Sequence, residues 1–117
     1  TPLSGVLSST FDPEKGHYGV DVLAKNNEAV KSTLDGTVLI ATWSSETGHV
    51  IQVQHANNLV SIYKHNSVLL KQVGDKVKAG EAIAIVGNSG ELTTGPHLHF
   101  ELWADGQPLN PEDYMNF

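Results

Sequence analysis

The stretch HLHFELWA, residues 97–104, alternates polar and apolar side chains over its first six positions. Successive side chains of an extended strand point to opposite faces, so His97, His99 and Glu101 share one face and the apolar residues between them share the other. This pattern predicts a half-buried strand that carries potential metal-binding or proton-transferring groups on its open side. An isolated His-x-His is more typical of two surface histidines on an exposed edge strand, so the function of this strand depends on the rest of the chain.

The remaining chain shows almost no helical periodicity and predicts an all-β fold. Short β-rich runs are separated by Gly, Asn and Asp, which is typical of antiparallel sandwiches and barrels. We expect strands over 19–24, 36–45, 49–55, 59–65, 81–87 and 97–104, with a turn at 87–90. Helical turns are expected only within 67–77 and in the tail, 110–117.

Composition restricts the class of protein. The 117 residues suffice for one domain, and 39% hydrophobic with 17% charged residues is typical of a folded soluble chain. The net charge of -6 argues against a nucleic-acid partner, and no apolar run reaches the roughly 20 residues of a membrane-spanning helix. With no cysteine, any metal must be held by His, Asp or Glu. Since the chain opens without Met, we expect it to be a processed piece of a longer protein. We also expect it to be monomeric.

The stretch KGHYGVD, residues 15–21, contains a second pair of candidate ligands. His17 and Asp21 are four positions apart, which places them on one face of a strand or of a helix, and the surrounding residues favour a loop that leads into a strand. Imidazole and carboxylate are suitable zinc ligands. Together with one histidine of HLH they would supply three protein ligands and leave a fourth position for water, as in catalytic zinc sites. Spacing alone does not exclude a solvated turn, or a closed site with both histidines of HLH.

A third candidate stretch is SIYKHNS, residues 61–67. Strict alternation predicts that Ser61, Tyr63 and His65 face the same side, so that His65 and Tyr63 could both reach a groove. His49 and His55 share the phase of apolar residues in their strand and are interpreted as structural. Trp43 and Trp103 are interpreted as packing residues.

The order of these motifs resembles that of the M23 zinc metallopeptidases, the lysostaphin-type peptidoglycan endopeptidases. His-x3-Asp, YKH, VGDKVKAGEAIAIVGNSG and TGPHLHFEL occur in the family's order, and the resemblance covers about residues 15–114 of a single domain, 1–117. It implies a two-layer antiparallel β structure of barrel-sandwich type with a long groove. Lys15 and Asn66 depart from the family's usual Arg and Leu, and both bear on substrate fit.

The resemblance also implies a function and a role for each motif residue. His17, Asp21 and His99 match the zinc ligands, and His65 and His97 match the two catalytic histidines beside the metal. Tyr63 and Glu101 are candidates for support of these residues or for the groove, although Glu101 could also be an exposed strand residue. The implied activity is hydrolysis of peptide cross-links in peptidoglycan, outside the cytoplasm, with Zn²⁺ as cofactor.

Three alternatives stay open. VGDKVKAGEAIAIVG also resembles biotinyl and lipoyl carrier domains, but the sole Met, Met115, lies in the tail and no hairpin with a modifiable Lys is visible. A sugar phosphotransferase phosphocarrier would explain two histidines but not Asp21. A non-catalytic M23-like domain that activates other wall hydrolases typically lacks ligands, whereas this chain retains all five site residues.

Overall fold

The structure, a computed structural model, describes residues 1–87 and 95–117. Within these two segments its regular secondary structure consists of β-strands, apart from single 3₁₀ turns at Pro13–Lys15, Ala56–Asn58 and Pro111–Asp113. The strands are β1 (Leu7–Ser9), β2 (Val20–Leu23), β3 (Ala29–Lys31), β4 (Gly36–Ser44), β5 (Gly48–Gln54), β6 (Leu59–Leu69), β7 (Lys76–Val77), β8 (Ala82–Val86), β9 (His97–Ala104) and β10 (Gln107–Leu109). The all-β prediction is therefore confirmed. Over the same residues, no helix has the length and apolar character needed to cross a membrane.

All strand pairs in this part of the chain are antiparallel. The main path runs β1-β2-β9-β6-β5-β4-β7, while β10 adds to β9, and β8 pairs with both β6 and β3. The motif strand β9 therefore lies between β2 and β6, and the sequence stretches that carry the other candidate site residues flank it directly.

The core forms from the apolar face of each strand. On β9, Leu98, Phe100 and Leu102 are buried as the alternation predicted, and they pack with Val20 and Val22 of β2. Buried residues of β3, β5, β6 and β8 belong to the same cluster, so the paired strands fold around one hydrophobic core. The polar face of β9 therefore points away from this core.

A β-bulge in β6 changes the side-chain phase next to the site. Tyr63 lies opposite Ile51 of β5, whereas Asn66 lies opposite His49, so three residues of β6 match two of β5. His65 accommodates the extra residue with a φ of 69°, in the left-handed region. The fully buried Asn66 supports the bulge, because its side-chain amide donates to the carbonyl oxygens of His49 and Tyr63, both at 3.0 Å.

The bulge overturns the prediction that Ser61, Tyr63 and His65 share one face. Ser61 and Tyr63 point into the core and are 0% exposed, while the extra residue turns His65 to the side of the site. The prediction assumed regular alternation along the strand, and one inserted residue reverses the face to which the following side chains point. Asn66 is likewise buried, so it supports the strand rather than contacting a substrate.

Two other expectations have different outcomes. The helical turn expected within 67–77 is wrong, because residues up to Leu69 continue β6 and pair with β8, and a turn closed by the Asp75 amide and the Gln72 carbonyl oxygen follows. The helical turn in the tail is confirmed as the 3₁₀ turn Pro111–Asp113. Residues 88–90 of the predicted turn lie outside the described residues.

Candidate metal centre and catalytic site

The register of β2 and β9 brings the first candidate ligands together. Asp21 lies directly opposite His99 in the antiparallel pair, and the Asp21 Oδ1 atom is 2.7 Å from His99 Nδ1. His17 precedes β2 and is fixed by a backbone bridge to Asp12, which places its Nε2 atom 3.2 Å from Asp21 Oδ2. One ligand atom from each of the three residues lies within 4.8 Å of the others.

The hydrogen bond made by Nδ1 of His17 leaves its Nε2 atom available to a metal. His17 Nδ1 is 2.6 Å from the carbonyl oxygen of Thr10, which can only accept, so the ring hydrogen belongs on Nδ1. His17 Nε2 then presents its lone pair toward Asp21. Two imidazoles and a carboxylate with the lone pairs converging fit a divalent ion such as zinc. In the described residues, His97 is not a member of this cluster.

The close contacts within the cluster shift the pKa values of Asp21 and His99. Burial by itself would raise the pKa of Asp21, but the hydrogen bond from His99 and the nearby histidines hold that pKa below its ordinary value. Burial likewise opposes protonation of His99, yet the carboxylates of Asp21 and Glu101 hold the pKa of His99 above its ordinary value. The site is therefore a strong attractor for positive charge, whether that charge is a proton or a metal ion.

His65 and His97 form a second pair beside the cluster. Their ring centroids are 4.9 Å apart, and the His65 ring is 6.1 Å from that of His99. Burial and the neighbouring His97 and His99 lower the pKa of His65, so its neutral form is favoured. His65 Nδ1 is buried without a hydrogen-bond partner among residues 1–87 and 95–117.

Gly87 connects the backbones of these two histidines. Its amide donates to the His65 carbonyl oxygen at 2.9 Å, and its own carbonyl oxygen accepts from the His97 amide at 3.4 Å. A Cβ atom at this position would lie 2.8 Å from the His65 carbonyl oxygen and 2.7 Å from the Ser67 amide nitrogen. Only glycine therefore allows β8 to approach the bulge this closely.

Gly19 likewise allows a close approach, here between β2 and β9. A Cβ atom there would overlap the Phe100 carbonyl oxygen and would lie 2.8 Å from Glu101 Cγ and 3.1 Å from His99 Nε2. The sequence analysis did not assign a role to either glycine. For Gly19 the signal was available, since it stands between the two candidate ligands in HYGVD.

Glu101 is buried and contacts three side chains of the open face. Its Oε2 atom is 2.8 Å from His99 Nε2 and 3.1 Å from Lys64 Nζ, and its Oε1 accepts a hydrogen bond from Trp103 Nε1 at 2.8 Å. Burial would raise the pKa of Glu101, but these three donors lower it to about 2. The alternative of an exposed Glu101 is thus wrong, and Lys64 and Trp103 join the site although the sequence analysis had not placed them there.

Tyr63 is not part of the site. Its side chain packs against Phe100, with ring centroids 5.3 Å apart, and its hydroxyl bonds to Ser61 Oγ at 2.7 Å and accepts from the Thr33 amide at 3.1 Å. The prediction that Tyr63 borders the groove is wrong for the reason given above, namely the bulge at His65. His55 bonds to Ser61 Oγ and to the Asp35 carbonyl oxygen, in agreement with a structural role.

Comparison with known proteins identifies the family and the fold of the chain. The model of a protein family described as Peptidase family M23 matches residues 15–111, and the chain therefore belongs to this family. A zinc containing peptidase from Vibrio cholerae has the same fold: its crystal structure superimposes with a TM-score of 0.87 at 29% identity and covers 99% of this chain and 39% of its own.

Two curated relatives show that members similar to this chain carry different names. The DD-carboxypeptidase/endopeptidase Mpg of Neisseria meningitidis is 36% identical over 95 residues, which are 81% of this chain and 22% of the relative. The murein hydrolase activator EnvC of Escherichia coli is 37% identical over 97 residues, 83% of this chain and 23% of the relative. The chain thus spans less than a quarter of the length of either protein.

Proposed function

We propose that this chain is the catalytic domain of a zinc-dependent endopeptidase that hydrolyses peptide cross-links of bacterial peptidoglycan. The observation that carries the proposal is the convergence of His17, Asp21 and His99 on one point, with His65 and His97 directly beside it. Membership of peptidase family M23 and the similarity to the Neisseria endopeptidase support the same activity. Because peptidoglycan lies outside the cytoplasm, we also propose an extracytoplasmic location.

The ligand role belongs to His17 through Nε2, to Asp21 through its carboxylate and to His99 through Nδ1. When bound, zinc would polarise the scissile carbonyl and lower the pKa of a water molecule toward about 7. The three side chains contribute a single negative charge, so the loaded site keeps a net positive charge of about one, which suits both effects.

Proton transfer is assigned to His65 and His97. His65 is the better general base, because burial and the neighbouring His97 and His99 lower its pKa and so favour the neutral imidazole, which can accept a proton. His97 donates its Nδ1 hydrogen to the Gly95 carbonyl oxygen, 3.2 Å away, so Nε2 of the neutral ring carries the lone pair and becomes a donor once it has taken up a proton. It can stabilise the developing oxyanion or protonate the leaving amine.

The second candidate function is activation of other wall hydrolases without hydrolysis. The similarity to EnvC, whose name describes an activator, favours this candidate. A complete set of potential ligands with two more histidines beside it favours hydrolysis, since an activator has no need of that arrangement. The two functions make opposite predictions for metal content and for the release of peptides.

The deciding experiment measures zinc and hydrolysis on the same preparations. The purified chain should contain one zinc and should release cross-link peptides from purified peptidoglycan, with walls that contain glycine bridges and walls with direct D-alanyl cross-links tested in parallel. Asp21→Ala should lose both properties, whereas Asp113→Ala, at an exposed 3₁₀ turn, should keep both. A folded wild-type chain that binds zinc and releases no peptide from either wall, or that binds no zinc, would contradict the proposal.

A further inference from the structure

Alternate residues of β9 extend from the proposed metal ligand to the protein surface. His99, Glu101 and Trp103 share one face of the strand, and each contacts the next: His99 Nε2 to Glu101 Oε2 at 2.8 Å, and Trp103 Nε1 to Glu101 Oε1 at 2.8 Å. Lys64 of β6 reaches the same carboxylate from the neighbouring strand, at 3.1 Å. Glu101 is 7% exposed, so these side chains take the place of water around it.

The donors that surround Glu101 place a hydrogen on Nε2 of His99. An indole N–H and an ammonium group can only donate, so the Glu101 carboxylate that they surround acts as an ionised acceptor. A nitrogen that meets an ionised carboxylate at 2.8 Å must donate to it, and His99 Nε2 therefore carries the ring hydrogen. Nδ1 lies 2.7 Å from the Asp21 carboxylate, so without a metal it donates as well; a bound metal ion would replace this second hydrogen and would take the lone pair of Nδ1.

We propose that Glu101 is a positioning residue that fixes the hydrogen on Nε2 of His99 and aims Nδ1 at the metal, and that Trp103 and Lys64 hold Glu101 in place for this task. The inference rests on the proposed function only in that His99 is taken as a zinc ligand. Hydrogen bonds from the far nitrogen of a ligating histidine orient the ring and raise its basicity. His17 receives the equivalent support from a backbone carbonyl oxygen, whereas His99 depends on a side chain that substitution can remove.

The test combines zinc affinity with the position of the ring hydrogen. Zinc affinity is measured by competition with a chromophoric chelator, and the hydrogens on His99 are located by ¹⁵N–¹H NMR of zinc-loaded protein labelled in histidine. The wild type should show a slowly exchanging hydrogen on Nε2 of His99. Glu101→Leu should weaken zinc binding about 10- to 100-fold and speed up exchange of that hydrogen.

Three further variants separate positioning from general stability. Glu101→Gln should recover part of the zinc affinity, because its amide oxygen can still accept from Nε2. Trp103→Phe should weaken zinc binding less than Glu101→Leu does. Glu81→Leu is the matched control, since it removes a carboxylate from the partly exposed ion pair with Lys71 and should leave zinc affinity unchanged.

Each outcome decides the proposal. A hydrogen on Nδ1 of His99 in the zinc-loaded wild type would overturn it, and this measurement needs no variant to fold. Unchanged zinc affinity in a folded Glu101→Leu would also overturn it, while leaving the endopeptidase proposal intact. A wild-type chain that binds no zinc would overturn the proposed function and this inference together.

Discussion

His65 reaches the site because one residue adopts a left-handed backbone conformation. Its φ of 69° inserts an extra residue into β6 and turns the ring toward His97, while its amide still donates to the Thr47 carbonyl oxygen at 2.8 Å. Non-glycine residues seldom take this conformation, and such residues are concentrated at functional sites. The backbone geometry therefore supports the assignment of His65 as a residue kept for function.

His65→Ala should abolish hydrolysis and retain zinc. The substitution removes the proposed general base, which typically contributes about 10²- to 10⁴-fold to the rate, but it removes none of the three ligand atoms. The measurements are the initial rate of peptide release and the zinc content of the same sample. His49→Ala, which removes a histidine not assigned to the site, is the control and should keep both. Loss of zinc on His65→Ala would contradict the separation of ligands from catalytic histidines.

The lowered pKa of His65 sets the direction of the pH dependence. The charged groups facing this ring are His97 and His99 of β9 and Asp21 of β2; burial and the two histidines lower its pKa, while the carboxylate opposes them. The ring thus stays neutral to a lower pH than a free imidazole, which titrates near about 6.5. Hydrolysis at saturating zinc should hold from about pH 8 to 7 and fall only below about 6.

The pH profile of kcat/KM, with zinc content checked at every pH, measures this dependence. The zinc determination is needed because protons displace metals from histidine ligands at low pH. Full activity at pH 5 with zinc still bound would contradict the expected loss of activity below about pH 6.

Strand β2 can approach β9 only because Gly19 has no side chain. A Cβ atom would overlap the Phe100 carbonyl oxygen and press on Glu101 and His99. We expect Gly19→Ala to weaken zinc binding although all three ligands remain, and to cost about 1–3 kcal/mol of stability from overpacking. Zinc competition and urea unfolding measure the two effects.

Gly74→Ala is the matched control for Gly19→Ala. Gly74 has a φ of 93°, so the alanine is strained, but it meets no atom within 4 Å. It should lower stability and leave zinc affinity unchanged. Equal zinc affinities in the two variants would mean that the close approach at Gly19 does not position the ligands.

Tyr63→Phe separates the core side of β6 from its site side. The buried hydroxyl bonds to Ser61 and Thr33, so its removal leaves buried polar groups unpaired and should cost about 1–3 kcal/mol. Zinc affinity and the rate of peptide release should stay unchanged where the protein is folded. Tyr114→Phe, at a side chain 61% exposed, should change none of these quantities. A lower rate of peptide release by Tyr63→Phe, without loss of stability, would indicate that Tyr63 does contribute to the substrate groove.

Alternation of side chains predicted β9 well and β6 badly, and the difference has a physical cause. β9 is regular from His97 to Ala104, so a period of two places every side chain on its observed face. In β6 the same period fails after Tyr63, because the bulge depends on contacts that are distant in sequence, such as the Asn66 amide with the His49 carbonyl oxygen and Gly87 with His65. The contact of Lys64 with Glu101 was invisible for a similar reason, since it requires the register of β6 against β9.

Folding brings together proposed metal ligands that are far apart in the sequence. His17 precedes β2 and Asp21 lies within it, whereas His99 belongs to β9, 78 positions after Asp21. In the unfolded chain these ligand atoms are far apart, so zinc binds the folded state in strong preference and must stabilise it.

Zinc should therefore raise the free energy of unfolding by about 2.7 kcal/mol when free zinc is at 100 times its dissociation constant. Urea unfolding of the wild type, with buffered zinc and with an excess of chelator, measures the difference. Asp21→Ala should unfold at the same urea concentration in both conditions, because it has lost a ligand that joins β2 to β9. The Glu101→Leu variant should fall between them, since weaker binding at the same free zinc yields a smaller stabilisation. If the wild type bound one zinc without any gain in stability, the ion would have to bind the unfolded chain equally well, which would place it outside the site formed by these two strands.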